Sequence, residues 1–131
     1  MTFERINPAS LADPIGFSHA VTVEGKEIVF LAGQTALDKS GLIVGKGIVE
    51  QFEKALSNLL TALKESGGTP AQLTKLTIFS VDPGDYRAHA KELGGIWKRL
   101  VGRDYPAMTL VGVTRLWDED ALVEIEGFAA I

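Results

Sequence analysis

The stretch Phe52-Glu53-Lys54-Ala55-Leu56-Ser57-Asn58-Leu59-Leu60-Thr61-Ala62-Leu63 decides the fold. Phe52, Ala55, Leu56, Leu59, Leu60 and Leu63 recur at i, i+3, i+4 and i+7, which gathers them on one side of an α-helix. Glu53, Lys54, Ser57 and Thr61 take the opposite side, and Gly67-Gly68 ends the element. A helix with one apolar stripe needs a surface to cover. A second stripe follows in Tyr86, His89, Ala90, Leu93, Trp97, Leu100 and Val101, with Asp82-Pro83 as cap and first-turn proline.

The segments around these helices read as strands. Phe17 to Val23 and Glu27 to Ala32 flank Glu24-Gly25-Lys26, a short glycine-bearing hairpin turn. Asp38-Lys39-Ser40-Gly41 turns into Leu42-Ile43-Val44. Leu73 to Val81, Met108 to Leu116 and Leu122 to Ala130 are β-rich, with Trp117-Asp118-Glu119-Asp120 expected as the tip of a final hairpin. The order of strands, helix, strand, helix and two strands predicts an α+β fold. It would be a mixed sheet with two helices on one face, forming one domain over 1–131.

Bulk properties agree with a single core. The chain has 131 residues, 46% of them apolar and 23% charged, and its net charge is −4. That length suits one domain. With no cysteine there is no disulfide frame, thiolate metal site or cysteine nucleophile. No run approaches a membrane span, the first residues lack the build of a signal peptide, and a cytoplasmic location is expected. The negative balance and the lack of a basic cluster speak against nucleic-acid binding.

Two helices cover one face of a sheet, yet the strand from Met108 is apolar on both parities. Met108, Leu110 and Gly112 alternate with Ala107, Val111 and Val113. Such a strand needs a second cover. The chain offers no element for it, so another copy of itself is expected, in a closed ring. A sheet curled over itself is the alternative.

Candidate chemistry is sparse. In the last strand Glu124, Glu126 and Phe128 share one parity, while Val123, Ile125, Ala129 and Ile131 share the other and would pack under the helices. Glu126 reads as a solvated or interface-paired acid. Glu124 stands evenly between that role and a cleft acid with a raised pKa. His19 and His89 have no metal-ligand spacing, so no metal is expected. His89 falls on the apolar stripe and reads as a packed, hydrogen-bonded side chain. His19 lies beside Ser18 with no carboxylate to orient it, which leaves a triad unsupported. Gly41, Gly45 and Gly47 serve turns rather than phosphate binding. Trp117 reads as a rim or interface residue, or one folded back on its own sheet.

Taken together, several motifs carry a family resemblance. Phe17-Ser18-His19-Ala20-Val21 precedes Val29-Phe30-Leu31-Ala32-Gly33-Gln34. Then come Gly41-Leu42-Ile43-Val44-Gly45, a helix with Gln51 and Asn58-Leu59, and Lys75-Leu76-Thr77-Ile78-Phe79. Tyr105-Pro106-Ala107 and Glu124-Ile125-Glu126 complete the set. In order and spacing, over nearly the whole chain, this resembles the reactive-intermediate deaminase (Rid) family, also labelled L-PSP endoribonuclease-like. The resemblance implies a chorismate-mutase-like fold and a homotrimer that closes a central barrel and holds three clefts between subunits. It also implies hydrolysis of enamines and imines without a cofactor.

The departures matter as much. Where the family has an arginine after Pro-Ala that grips a substrate carboxylate, this chain has Met108, which cannot copy the planar fork. The family's cleft tyrosine corresponds to Phe17, its motif serine to Ala32, a cysteine to Leu110 and a helix asparagine to Ala90. Gly33 and Glu124, the latter matched to a water-activating acid, remain. The expected cleft is therefore apolar, with Glu124 as its main charge. Three readings follow. One is a deaminase-type hydrolase with altered specificity for a larger apolar substrate. The second is a non-catalytic trimer that binds a small metabolite or acts in regulation. The third is a silent protein with a partner-recognition surface.

Overall fold

The structure, a computed structural model, describes residues 2–25 and 27–131. Among these described residues six strands and three α-helices run in the order β1 (Phe3–Ile6), β2 (Ala20–Val23), β3 (Ile28–Gln34), α1 (Ile48–Glu65), β4 (Leu73–Ser80), α2 (Pro83–Ala88), α3 (Ala90–Leu100), β5 (Ala107–Gly112) and β6 (Val123–Ala130). The main sheet has the strand order β3-β6-β4-β5, with β4 and β5 parallel and the other pairs antiparallel. The α+β class and the mixed sheet are as the patterning required.

The helix periodicity explains the core. On α1, Phe52, Ala55, Leu56, Leu59 and Leu63 are buried, and they lie over Leu31, Leu76, Ile78, Val123, Ile125 and Ala129 of the sheet. Leu93, Ile96 and Trp97 of α3 complete the same layer. Each fully buried leucine contributes about 1.5–3 kcal/mol relative to exposure. α1 ends at Ser66, where Gly67 adopts φ 92 and the Gly68 N–H donates to the Leu63 carbonyl.

Among the described residues no helix covers the opposite face. Ile28 and Phe30 of β3, Phe128 of β6 and Val111 of β5 are exposed there, and Phe30 stacks edge-on against Phe128 with ring centroids 5.3 Å apart. Phe30 is 74% exposed. Met108 and Leu110 belong to the other side of β5, in register with the buried Leu76 and Ile78.

Several expectations need correction. The strand at Ala20–Val23 does not pair with β3 across the Glu24-Gly25 turn, of which Lys26 lies outside the described residues. It pairs instead with Phe3–Ile6, because Phe3 and Arg5 share its alternation and half-bury with Val23 and Val21. Phe17 to His19 is not in a strand; a single bridge from Ser18 to Ala107 ties it to the sheet. Leu42 to Val44 is held only by a bridge between Leu37 and Ile43, stabilised by Asp38, whose Oδ1 accepts from the Ser40 and Leu42 N–H groups. The second helix breaks at His89 into α2 and α3.

The final hairpin is also absent. β5 ends at Gly112, and the chain crosses to place β6 between β3 and β4. Val123, Ile125 and Gly127 are too buried for a strand at the rim, and the centre is where both edges of β6 find partners. Arg115 organises the crossing, donating to the Leu116 and Trp117 carbonyls and to the Glu119 carboxylate. Trp117 is 92% exposed on this crossing, so it does not fold back over its own sheet.

Candidate functional site

The expected site residues divide into two groups on opposite faces of the sheet. The first group is Glu124 with Ala32 and Gly33. Leu31 opposes Gly127 and Gln34 opposes Ile125, so Ala32 and Gly33 together face one residue, Glu126. This β-bulge re-aims the strand, a device common beside active sites. It also brings the Gly33 backbone against the Glu124 side chain. A Cβ at Gly33 would collide with Glu124 Oε1 and lie 2.9 Å from its Cδ. Gly33 does not adopt a left-handed φ, so space rather than torsion favours glycine here, for as long as Glu124 keeps this position.

Glu124 sits opposite Phe79 on β4. Partial burial, the neighbouring Glu126 and then Asp118 raise its pKa above the ordinary carboxylate value. Among the described residues no cation pairs with it. The observed pairs join Arg5 to Asp104, Arg99 to Glu53, Arg115 to Glu119 and His89 to Asp85.

Phe17, Ala90, Met108 and Leu110 form the second group, on the helix side of β5. They line two adjoining hollows of about 340 and 210 Å³, which share Ile15, Gly16, Tyr86 and Met108. Ala90 lines the larger, which runs under α3 to Leu93, Gly94 and Trp97; Phe17 and Leu110 line the smaller. The second group therefore meets as an apolar chamber with Met108 as the common wall. Within one protomer the sheet itself separates that chamber from Glu124.

Sequence reasoning missed Tyr86 and Tyr105 as cavity residues. Tyr86 half-buries between the two hollows and meets Phe52 edge-on at 5.9 Å, while Tyr105 stacks on Trp97 at 5.0 Å. Burial pushes both hydroxyls above their ordinary pKa, with Tyr105 adding to the effect on Tyr86. A tyrosine on an apolar helix stripe carries a hydroxyl in need of a partner, and that signal was available in the sequence.

The remaining candidates have structural roles. Ser18 Oγ donates to the Tyr105 carbonyl at 2.7 Å, and His19 Nε2 lies 2.7 Å from the Ala12 carbonyl, so the two do not face each other. His89 is hydrogen-bonded through Nδ1 to the Asp85 carbonyl, but its side chain is 40% exposed rather than packed. The backbone bond to Asp85 raises its pKa, followed by the charges of Asp85 and Glu92. Gln51, 3% exposed, clamps three loops. Its Nε2 donates to the Gly45 and Asp120 carbonyls, and its Oε1 accepts from the Leu122 N–H. Asn58 likewise donates to the Thr35 and Leu37 carbonyls. Among the described residues no three potential metal ligands cluster, and no helix is long and apolar enough to cross a membrane.

A helix-backed mixed sheet with a bare second face, a bulged edge over one acid and an apolar chamber along the other edge defines a particular small α+β class. Residues 8–131 match the family model described as Endoribonuclease L-PSP. RutC family protein UK114 of Drosophila melanogaster is 34% identical over 126 residues, covering 95% of this chain and 86% of that protein. A 2-iminobutanoate/2-iminopropanoate deaminase of Capra hircus is 30% identical, covering 95% and 87%. The crystal structure of a Rid-family protein of unknown function from Yersinia pestis superposes with a TM-score of 0.88 at 32% identity, covering 100% of both chains. The chain belongs to the Rid (L-PSP) family.

Proposed function

We propose that the protein works as a homotrimer whose inter-subunit clefts hydrolyse an enamine, imine or related reactive metabolite with a larger apolar body. The single observation that carries this reading is the division of the site. Glu124 and Gly33 lie on the bare face of the sheet, and the Met108 chamber lies on the other side. A neighbouring copy seated on the bare face would bring its own chamber edge to Glu124, completing in the assembly what one protomer leaves apart. The exposed Phe30–Phe128 pair supplies the apolar surface for that seat. The deaminase activity named for the Capra hircus relative supports the reaction class.

In the reaction, Glu124 accepts a proton from water as the hydroxide adds to the C=N carbon. Glu124 returns that proton to the nitrogen to give a neutral carbinolamine, then passes the carbinol O–H proton to the nitrogen as the C–N bond breaks, expelling ammonia and leaving a carbonyl. One water is consumed, one ammonia is released, and Glu124 returns to its starting state. Its raised pKa suits a group that must both accept and return a proton. Met108 supplies no charge for a substrate carboxylate, which favours substrates held by apolar contact.

The test is ammonia release from freshly generated 2-aminoacrylate and from bulkier imines, for wild type, Glu124→Gln and Met108→Arg. Turnover of the bulkier imines should exceed that of 2-aminoacrylate and should fall sharply in Glu124→Gln. Met108→Arg should raise 2-aminoacrylate turnover by about tenfold or more, the worth of a charge-assisted bond of about 1.5–3 kcal/mol. An unchanged Glu124→Gln on every substrate turned over would remove its assigned role. A second reading, a non-catalytic metabolite-binding trimer, is favoured by the wholly apolar group around Met108, and absence of turnover with retained binding would select it.

A further inference from the structure

The chamber beneath α3 is apolar apart from a small set of groups whose chemistry is specific. Leu93, Gly94, Trp97, Phe52 and Met108 form its body. Tyr86 and Tyr105 both line it, and neither hydroxyl makes a hydrogen bond within the protein among the described residues; burial raises the pKa of both, and Tyr105 adds to the effect on Tyr86. Arg5 Nε is the buried side-chain polar atom without a partner among the described residues, so both phenol oxygens keep access to solvent and each is free to donate to an acceptor atom that enters the cavity. Lys91, the one charged residue of the lining, is exposed at the rim, where water screens it.

We infer that Tyr86 and Tyr105 together form a neutral donor pair that selects an uncharged ligand with a flat apolar body and one acceptor atom, a carbonyl or imine. The aromatic stack of Trp97 and Tyr105 favours a planar body alongside it. A volume of about 340 Å³ holds a ligand of roughly ten to fifteen heavy atoms, at the small end of ligand sites. A carboxylate pushed to this depth would lose its hydration without gaining a cation, so the pair discriminates against anions. The inference rests on the reading that the Met108 chamber is the substrate side of the site. It names the substrate class that the site takes.

The probes are 4-phenylbutan-2-one, its hydrocarbon counterpart butylbenzene, and the anion 4-phenylbutanoate. Each is titrated into the full-length protein while backbone amides of 90–97 are followed by NMR. The ketone should shift those amides and bind more tightly than either comparator by about three- to tenfold, the worth of one or two hydrogen bonds. Tyr86→Phe and Tyr105→Phe keep the ring and remove only the donor. Each should weaken the ketone about threefold or more while leaving butylbenzene unchanged. The inference is overturned if the hydrocarbon or the anion binds as tightly as the ketone. Unaltered ketone affinity in the double variant, or no shifts at α3, overturns it equally. Failure of the wider functional reading looks different: it is a Glu124→Gln variant that turns over as wild type, whatever the tyrosine variants do to binding.

Discussion

Replacing Gly33 by alanine should separate stability from function at the bulge. The added methyl would strike Glu124 Oε1 and stand 2.9 Å from Cδ and 3.1 Å from Cγ. All three atoms belong to the far end of a flexible side chain, so Glu124 can rotate away. An off-rotamer excursion costs about 0.5–1.5 kcal/mol, and the melting transition should fall by no more than that implies. The carboxylate, however, must retreat by about 1 Å to reach ordinary contact distance. A displacement of that size at a reacting group is worth about 100-fold in rate. Gly127→Ala provides the contrast. Its methyl would meet the Lys75 carbonyl oxygen and the Leu76 side chain, with Lys75 C at 3.2 Å, in the middle of the sheet where backbone cannot yield. That change should cost more than about 3 kcal/mol or prevent folding. Urea denaturation and ammonia release, measured side by side, decide the matter. Gly33→Ala turning over within about twofold of wild type would refute the claim that the bulge sets the position of the carboxylate.

Three further outcomes follow from the same geometry. Because burial raises the Glu124 pKa, its ionised form is disfavoured in the folded state. Stability is thus lost as pH rises from the ordinary carboxylate value through the raised one. Glu124→Gln should therefore be at least as stable as wild type at neutral pH, with the gap closing as pH falls below the carboxylate range in thermal melts. Phe30→Lys alters a side chain that is 74% exposed in one protomer, so intrinsic stability should move by no more than about 0.5 kcal/mol. Sedimentation should nevertheless show the proposed trimer dissociating, and a trimer left undisturbed would exclude this face as the seat. Gln51→Leu strands the Gly45 and Asp120 carbonyls and the Leu122 N–H, for an expected loss of about 2–4 kcal/mol in urea denaturation.

How much of this was legible depended on the range of each signal. Helix α1 and its buried stripe could be read directly, because periodicity is local and Gly67-Gly68 marks the stop. The alternation of Val123, Ile125 and Ala129 against Glu124 and Glu126 also gave the correct faces of β6. What it could not give was the neighbour: adjacency in sequence suggested β5, whereas hydrogen bonding to β3 and β4 buries β6 on both edges. Phe3–Ile6 escaped notice because four residues carry too little alternation to register alone. The helix break at His89 had no glycine or proline to announce it; a ring nitrogen bonded to the Asp85 carbonyl competes there with the ladder. At the candidate site, residue types were readable one by one, but their division between two faces became visible only with the strand register.

The central position of β6 bears on how the molecule is made. It is the last of the four main strands in chain order, yet it joins β3 to the β4–β5 pair. Until it arrives, the emerging polypeptide holds β3 unpaired, the β4–β5 pair apart from it, and a helix with nothing continuous to rest on. Folding must wait for contacts of long sequence separation, a topology that slows the search and prolongs exposure of unpaired edges. Lesions between 123 and 130 should then reveal themselves as chaperone dependence and poor solubility, before any effect on catalysis can be measured.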